Sequence, residues 1–274
     1  MPNSQKWWDD FWTNQAHLRS VDRETHETWY DLVWKAGFEY WEDIFETHAP
    51  GRSMLECGCG SGKISRYFAQ KDYRCTLLDY SGQGLAVAKN HFRELSLTGT
   101  FVIGDIRRLC FPDEKFDIVF SGGVLEFFPD AEPAIREMVR VLKPGGVFAA
   151  NMVPNKFSIQ TIADIERTIA YAVRNLIGGR LREVFKMVRH IPASYNVQHV
   201  PLREYIRFCE NAGLTSVHGT VTSPFPELAL PGFGKDFYAR MMKKLVPQRK
   251  RFDQSKSRWT EIWGITYSIY GIKK

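Results

Sequence analysis

Cysteine is scarce in this chain of 274 residues, and what there is makes no scaffold. The five residues, Cys57, Cys59, Cys75, Cys110 and Cys209, are odd in number and match no disulfide framework or zinc spacing. Cys57-Gly-Cys59 is too tight for a C-x-x-C pair, so small residues in a tight turn are the simpler reading. No uninterrupted apolar run approaches the ~18 residues of a membrane span. The opening MPNSQKWWDDFW carries no charged-then-apolar leader. Both absences lead to the expectation of a cytoplasmic protein. Internal repeats and low-complexity segments are also missing, and no cluster of residues has metal-ligand spacing.

The bulk composition is ordinary, with 44% hydrophobic and 25% charged residues, and the length suits one large α/β domain rather than two. Two features stand out. Aromatics reach 14%, including 8 Trp, which suits a core or an apolar substrate pocket. The net charge of +6 is unevenly spread: residues 1–150 hold 17 Lys/Arg against 22 Asp/Glu, and residues 151–274 hold 20 against 9. A basic second half suits either a solubilising surface or a negatively charged partner.

Apolar positions at three or four spacing make residues 5–50 helical, with Pro50-Gly51 as the stop. An alternating series follows. Strands are expected at Ser53–Cys57, Tyr73–Asp79, Thr100–Gly104, Phe116–Ser121 and Val147–Met152. Helices are expected at Lys63–Gln70, Gly82–Leu95 and Ala131–Leu142, and Lys143-Pro-Gly-Gly146 reads as a turn. Strands alternating with such helices indicate a parallel sheet. Residues 156–190 then read as two amphipathic helices broken at Gly178-Gly179 and rich in arginine. A helix at Pro201–Ala212, a strand at Leu214–Thr222, a short helix near Lys235–Leu245 and a last strand at Ile262–Ile272 complete the chain.

The most informative stretch is Leu55-Glu-Cys-Gly-Cys-Gly-Ser-Gly62, which follows a strand and opens a helix. Glycines there allow a sharp turn and a close approach to a ligand. Their spacing is G-x-G-x-G, not the G-x-G-x-x-G of dinucleotide sites or the G-x-x-x-x-G-K-[ST] of a phosphate loop. Glu56 before the loop suits a ligand bearing an ammonium group better than a pyrophosphate. Asp79, at the end of the second strand, is placed to accept hydrogen bonds from ribose hydroxyls. Asp105 and Ile106, after the third strand, are placed to accept from an adenine amino group and to pack on its ring. All three positions lie at strand carboxyl ends, where open α/β sheets bind ligands.

The series ECGCGSG, LLDYS, GDI, FDIVFSGGVLEF and RVLKPGG, in this order, resembles the class I S-adenosylmethionine (SAM)-dependent methyltransferases over about residues 53–152. The resemblance implies a Rossmann-like, mostly parallel seven-stranded sheet with an antiparallel last strand, N-terminal helices and a helical lid insertion. It implies that Gly58, Gly60 and Gly62 shape the SAM loop and that Glu56 lies near the SAM amino group. Asp79 would hold the ribose, Tyr80, Asp105 and Ile106 the adenine, and Ser121 and Gly122 the methionine part. The chain departs from a frequent form of the family at Phe127, where VLEH is often seen and VLEF stands here.

One domain is expected over residues 1–274. It would have a helical cap at 1–50, a lid insertion at 156–198 and a further insertion at 224–260, regions that normally determine the acceptor. Acceptor-side candidates are His199, Tyr195 and Glu126, with His26 and His190 weaker. Trp8, Phe11, Trp12, Trp29 and Tyr30 are candidates either for core or for a lid. Nucleic acid is disfavoured as substrate: the stretch after the fourth strand is Ser121-Gly-Gly-Val124 rather than [DNS]-P-P-[YFW], and no Pro-Cys dipeptide occurs. The expected function is methylation at O, N or C of a small-molecule or lipid-like acceptor, with an anionic acceptor or peripheral contact to an anionic membrane as further expectations for the basic insertion. Two rivals stay open at this point: a non-catalytic SAM-binding module and a dinucleotide-dependent oxidoreductase.

Overall fold

The structure, a computed structural model, describes residues 4–15, 29–154, 158–182, 200–222, 237–238, 240–241, 243–245 and 262–274. Seven strands form one sheet: β1 (Ser53–Cys57), β2 (Arg74–Asp79), β3 (Thr100–Ile103), β4 (Phe116–Gly122), β5 (Leu142–Met152), β6 (Leu214–Thr222) and β7 (Thr266–Lys273). Their order is β3-β2-β1-β4-β5-β7-β6. The first five pair in parallel, and β7 runs antiparallel to both β5 and β6. The strand order reverses between β1 and β4, and open α/β sheets bind ligands at the carboxyl ends of the strands at such a reversal.

The helices are α1 (Gln5–Gln15), α2 (Trp29–His48), α3 (Lys63–Ala69), α4 (Gly82–Glu94), α5 (Glu132–Arg140), α6 (Ile159–Ile177) and α7 (Leu202–Asn211). Two apolar layers follow from the pleat, in which successive residues face opposite sides. On one side Leu55, Val119 and Phe148 pack with Ile135 and Met138 of α5 and Tyr205 of α7. On the other, Met54, Phe120 and Ala149 pack with Trp41 and Phe45 of α2, Phe68 of α3 and Phe92 of α4. Being covered on both sides, the central strands are apolar nearly throughout, and every residue of β4 but the last is buried.

The N-terminal helices expected over 5–50 are α1 and α2. Two expectations need correction. Lys143-Pro-Gly-Gly146 is part of β5 rather than a turn before it. The β4–β5 register shifts between Phe116 and Ile118, and Gly145 takes a positive φ, so the strand absorbs the Pro-Gly-Gly irregularity as a bulge. The last strand begins at Thr266 rather than Ile262, because Ile262 and Trp263 are helical.

Candidate active site

The loop from β1 to α3 is held by β2. The Gly58 and Cys59 N–H groups both donate to the Leu78 carbonyl, at 2.7 and 3.1 Å. Gly58 and Gly60 have φ of 74° and 49°, a left-handed conformation that a side chain disfavours. Space forbids one too: a Cβ on Gly58 would lie 2.3 Å from Val124 Cγ2, and one on Gly60 would lie 2.2 Å from Trp12 Cζ2. Cys57 and Cys59 are buried free thiols, which fits the tight-turn reading.

Three carboxylates are buried at the carboxyl end of the sheet, with 3–8% of each residue exposed: Glu56 on β1, Asp79 on β2 and Glu126 just after β4. Glu56 Oε2 accepts from the Ser65 N–H at 2.9 Å, across the first turn of α3. Burial pushes its carboxyl up to about 7; hydrogen bonding from Ser65 opposes the rise and the Asp79 charge adds to it. Asp79 accepts from the Gly60 N–H at 2.6 Å with one oxygen and from the Ser81 N–H at 2.8 Å with the other. Burial raises it as well, against those backbone hydrogen bonds.

Glu126 lies in a short 3-10 turn, Leu125–Phe127. Its Oε1 accepts from the Val153 N–H at 3.1 Å, which ties the turn to the end of β5. Its Oε2 is buried with no partner, and burial pushes the carboxyl up to about 7. None of the three acids has a cationic partner among the described residues. Buried charges are ordinarily paired or neutralised, and burial raises all three carboxyls toward the neutral form. SAM carries a sulfonium and an ammonium group, and its ammonium is the group the family resemblance places near Glu56.

The adenine side differs. Asp105 is clamped by the Arg107 guanidinium, Nε lying 3.0 and 3.1 Å from its two oxygens, and it also accepts from the Arg107 N–H at 2.9 Å. This pairing holds its carboxyl below the usual range. Ile106 is buried in the apolar layer beside α5, whereas Tyr80 is partly exposed. Ser121 is buried and its hydroxyl donates to the Cys57 carbonyl at 3.0 Å, locking β4 to β1. Gly122 pairs with Asn151 on β5.

A roof over this end of the sheet comes from α1. Asp9 accepts from the Ser81 hydroxyl at 2.5 Å and from the Gln83 N–H at 3.3 Å, at the start of α4. The Trp12 indole covers Gly60 and Gly84. At the other end the Trp8 ring meets Phe127 edge-on, centroids 5.2 Å apart. The helix thus reaches from α4 to the turn after β4, across the ends of β2, β1 and β4. Phe127, the departure from VLEH, is where the roof rests. Trp8, Phe11 and Trp12 therefore serve both as packing and as cover. Sequence reasoning missed Asp9, Ser65 and Arg107, whose partners lie elsewhere in the chain or only two positions away with no pattern to mark them. His199, Tyr195, His26 and His190 lie outside the described residues, as do the side chains of Trp29 and Tyr30. No metal-holding group of His, Cys, Asp and Glu occurs among the described residues.

Residues 55–150 match the family model described as a methyltransferase domain. A malonyl-[acyl-carrier protein] O-methyltransferase of Serratia marcescens is 37% identical over 98 residues, covering 36% of this chain and 37% of that protein. A phthiotriol/phenolphthiotriol dimycocerosates methyltransferase of Mycobacterium tuberculosis is 32% identical over 156 residues, covering 52% of this chain and 57% of that one. The matched stretches therefore span between about a third and somewhat over half of these relatives. Magnesium protoporphyrin IX methyltransferase of Synechocystis, solved with bound SAH, superposes over 98% of both chains with a TM-score of 0.57 at 12% identity, a likeness of fold alone. Strand order and the parallel β1–β5 pairing give a Rossmann-like fold, and within it residues 55–150 are similar to a methyltransferase domain.

Proposed function

We propose that this chain transfers the methyl group of SAM to O, N or C of a small-molecule or lipid-like acceptor. The observation that carries the reading is the set of three buried carboxylates without cations at adjacent strand ends, under an aromatic roof. SAM supplies an activated methyl on a sulfonium, so the protein's main tasks are to orient the acceptor and to exclude water. Asp79 holds the ribose and Glu56 balances the ammonium. The backbone at Ser121 and Gly122 lines the methionine part, and α1 with Trp8 and Trp12 keeps water out. Tyr80, Asp105 and Ile106 form the adenine edge, with Arg107 fixing the Asp105 carboxylate.

The acceptor enters from the β5–β6–β7 side, where the insertions at 156–198 and 224–260 leave the sheet. Glu126 is proposed as an acceptor-side base, a role supported by its buried, unpartnered Oε2 and by the burial that raises its carboxyl to about 7. His199 and Tyr195, just before α7, are proposed as further acceptor-side groups. A lipid-like acceptor is supported by the name of the relative that acts on phthiotriol/phenolphthiotriol dimycocerosates.

Incubating the chain with methyl-labelled SAM and separate lipid and polar metabolite extracts tests the proposal. The expected outcome is a labelled product, organic-soluble, made by the parent and lost in Asp79→Ala. SAM binding by calorimetry with no labelled product from either extract overturns the catalytic reading and leaves a binding module. A product confined to the aqueous phase overturns the lipid-like acceptor.

A further inference from the structure

α6 faces the opposite way from a helix that buries its apolar side in its own protein. Ile165, Ile169, Val173, Leu176 and Ile177, spaced by three or four, are 48–83% exposed. Its inward side is polar: Asn175 is buried, with its amide donating to the Tyr171 carbonyl at 2.9 Å, and Thr161, Thr168 and Tyr171 are half-buried. After the Gly178-Gly179 break, Leu181 is 56% exposed between Arg180 and Arg182, which are both exposed. Residues 159–182 hold four arginines against two acids. No helix among the described residues is long and apolar enough to cross a membrane.

A second described segment repeats the combination. Phe237 and Met241 are exposed beside exposed Arg240, Lys243 and Lys244, and residues 237–245 contain no acid. β5 and β6 both run antiparallel to β7, so the strands that precede the two segments in the chain end on the same side of the sheet. α6 follows the carboxyl end of β5 at Met152, and 237–245 follow the carboxyl end of β6 at Thr222. Only β7 separates those two strands.

We infer that this face is a docking surface for an anionic lipid interface, with α6 lying in its plane. The aliphatic stripe enters the boundary between headgroups and acyl chains, and Arg180, Arg182 and the cations of 240–244 meet the headgroup phosphates. Charge decides the occupant. A second copy on the same face would bring like cations together, whereas anionic headgroups neutralise them. The surface stands apart from the methyl-transfer reading and does not depend on the acceptor.

Sedimentation of the full chain with phosphatidylglycerol–phosphatidylcholine vesicles, and with phosphatidylcholine vesicles alone, tests it. The parent is expected to sediment with the first and not the second. Ile169→Glu with Val173→Glu lowers partitioning by about tenfold or more, since two aliphatic side chains no longer leave water. Arg180→Glu with Arg182→Glu lowers it by about tenfold near 0.1 M salt, an effect that shrinks toward 1 M as screening grows. Both pairs of substitutions lie on exposed positions and should keep the parent's circular dichroism and melting temperature. If the aliphatic variant misfolds, the arginine variant carries the test alone. A parent that ignores anionic vesicles overturns the inference, as does equal sedimentation of the parent and a folded variant. So does light scattering that finds a parent dimer dissolved by Ile169→Glu with Val173→Glu, which gives the stripe to a second copy.

Discussion

The two ends of the sheet treat buried acids in opposite ways. At the amino end of β4, Asp117 is surrounded by donors: the Ser53 N–H at 2.9 Å, the Ser53 hydroxyl at 2.5 Å and the Lys143 ammonium at 2.7 Å. Burial alone would raise its carboxyl, but Lys143 and Ser53 hold it below the usual range. At the carboxyl end Glu56, Asp79 and Glu126 are as deeply buried, have no cation among the described residues, and are all raised. The first arrangement is complete and stabilises the fold. The second has no such partner among the described residues, and it is the end of the sheet to which the proposed SAM site is assigned. Burial of acids alone does not separate structure from function here; the presence or absence of a counter-charge does.

The strongest way to break the carboxyl end is Gly60→Val. A β-branched residue at a φ of 49° is itself strained by about 1–2 kcal/mol, and its Cβ would overlap the Trp12 ring. Relief requires the loop or α1 to move, and either movement disrupts the Gly60 N–H bond to Asp79. Calorimetry should show SAM affinity reduced by about a hundredfold or more, equivalent to roughly 3 kcal/mol. The amino end should be undisturbed, so the folded fraction stays high. Unchanged affinity would remove the loop from the binding site.

Lys143→Met makes the converse change. It leaves Asp117 buried with only Ser53 for support. Because Lys143 is itself 39% exposed, the loss is expected to be well short of that for a fully buried pair, about 2 kcal/mol. The melting temperature should fall by several degrees while SAM affinity stays at the parent value. A drop in SAM affinity at equal folded fraction would mean that the two ends are not independent.

Much of this division was visible in the sequence. The run from Glu56 to Gly62 and the strand ends at Asp79 and Asp105 carry local signals, because glycine conformation and strand termination are set by neighbouring residues. Five of the seven strands were found close to their observed bounds for the same reason; β5 was started too late, at Val147 rather than Leu142, and β7 too early, at Ile262 rather than Thr266. What escaped depends on contacts distant in the chain. Asp9 meets Ser81 across 72 positions, and nothing near Asp9 announces it. The Pro-Gly-Gly of β5 looks like a turn by composition, yet β5 pairs with β4 both before it, at Leu142, and after it, at Val147. The polar inward side of α6 was equally out of reach: periodicity locates an apolar stripe but does not tell which way it faces.

A pH titration of SAM binding is the finest test of the unbalanced end. In the free protein the Glu56 carboxyl is raised to about 7, chiefly by burial. The SAM ammonium favours the ionised form, so binding lowers that value and, below about pH 7, must expel a proton. Affinity should therefore be nearly flat above about pH 7.5 and fall by up to tenfold for each unit below about 7, since one unit corresponds to about 1.4 kcal/mol. Calorimetry in buffers of different ionisation enthalpy should register close to one proton released near pH 6 and almost none near pH 8. Glu126 is raised to a similar value, and Asp79 also lies above its usual range, so the assignment needs a variant. Glu56→Gln keeps a carbonyl acceptor for the Ser65 N–H and removes the titration. It should bind SAM more weakly than the parent at pH 8 and show a flat profile through neutrality. A variant that releases the parent's proton near pH 6 would move the titration to Glu126 or Asp79 and take Glu56 out of ammonium recognition.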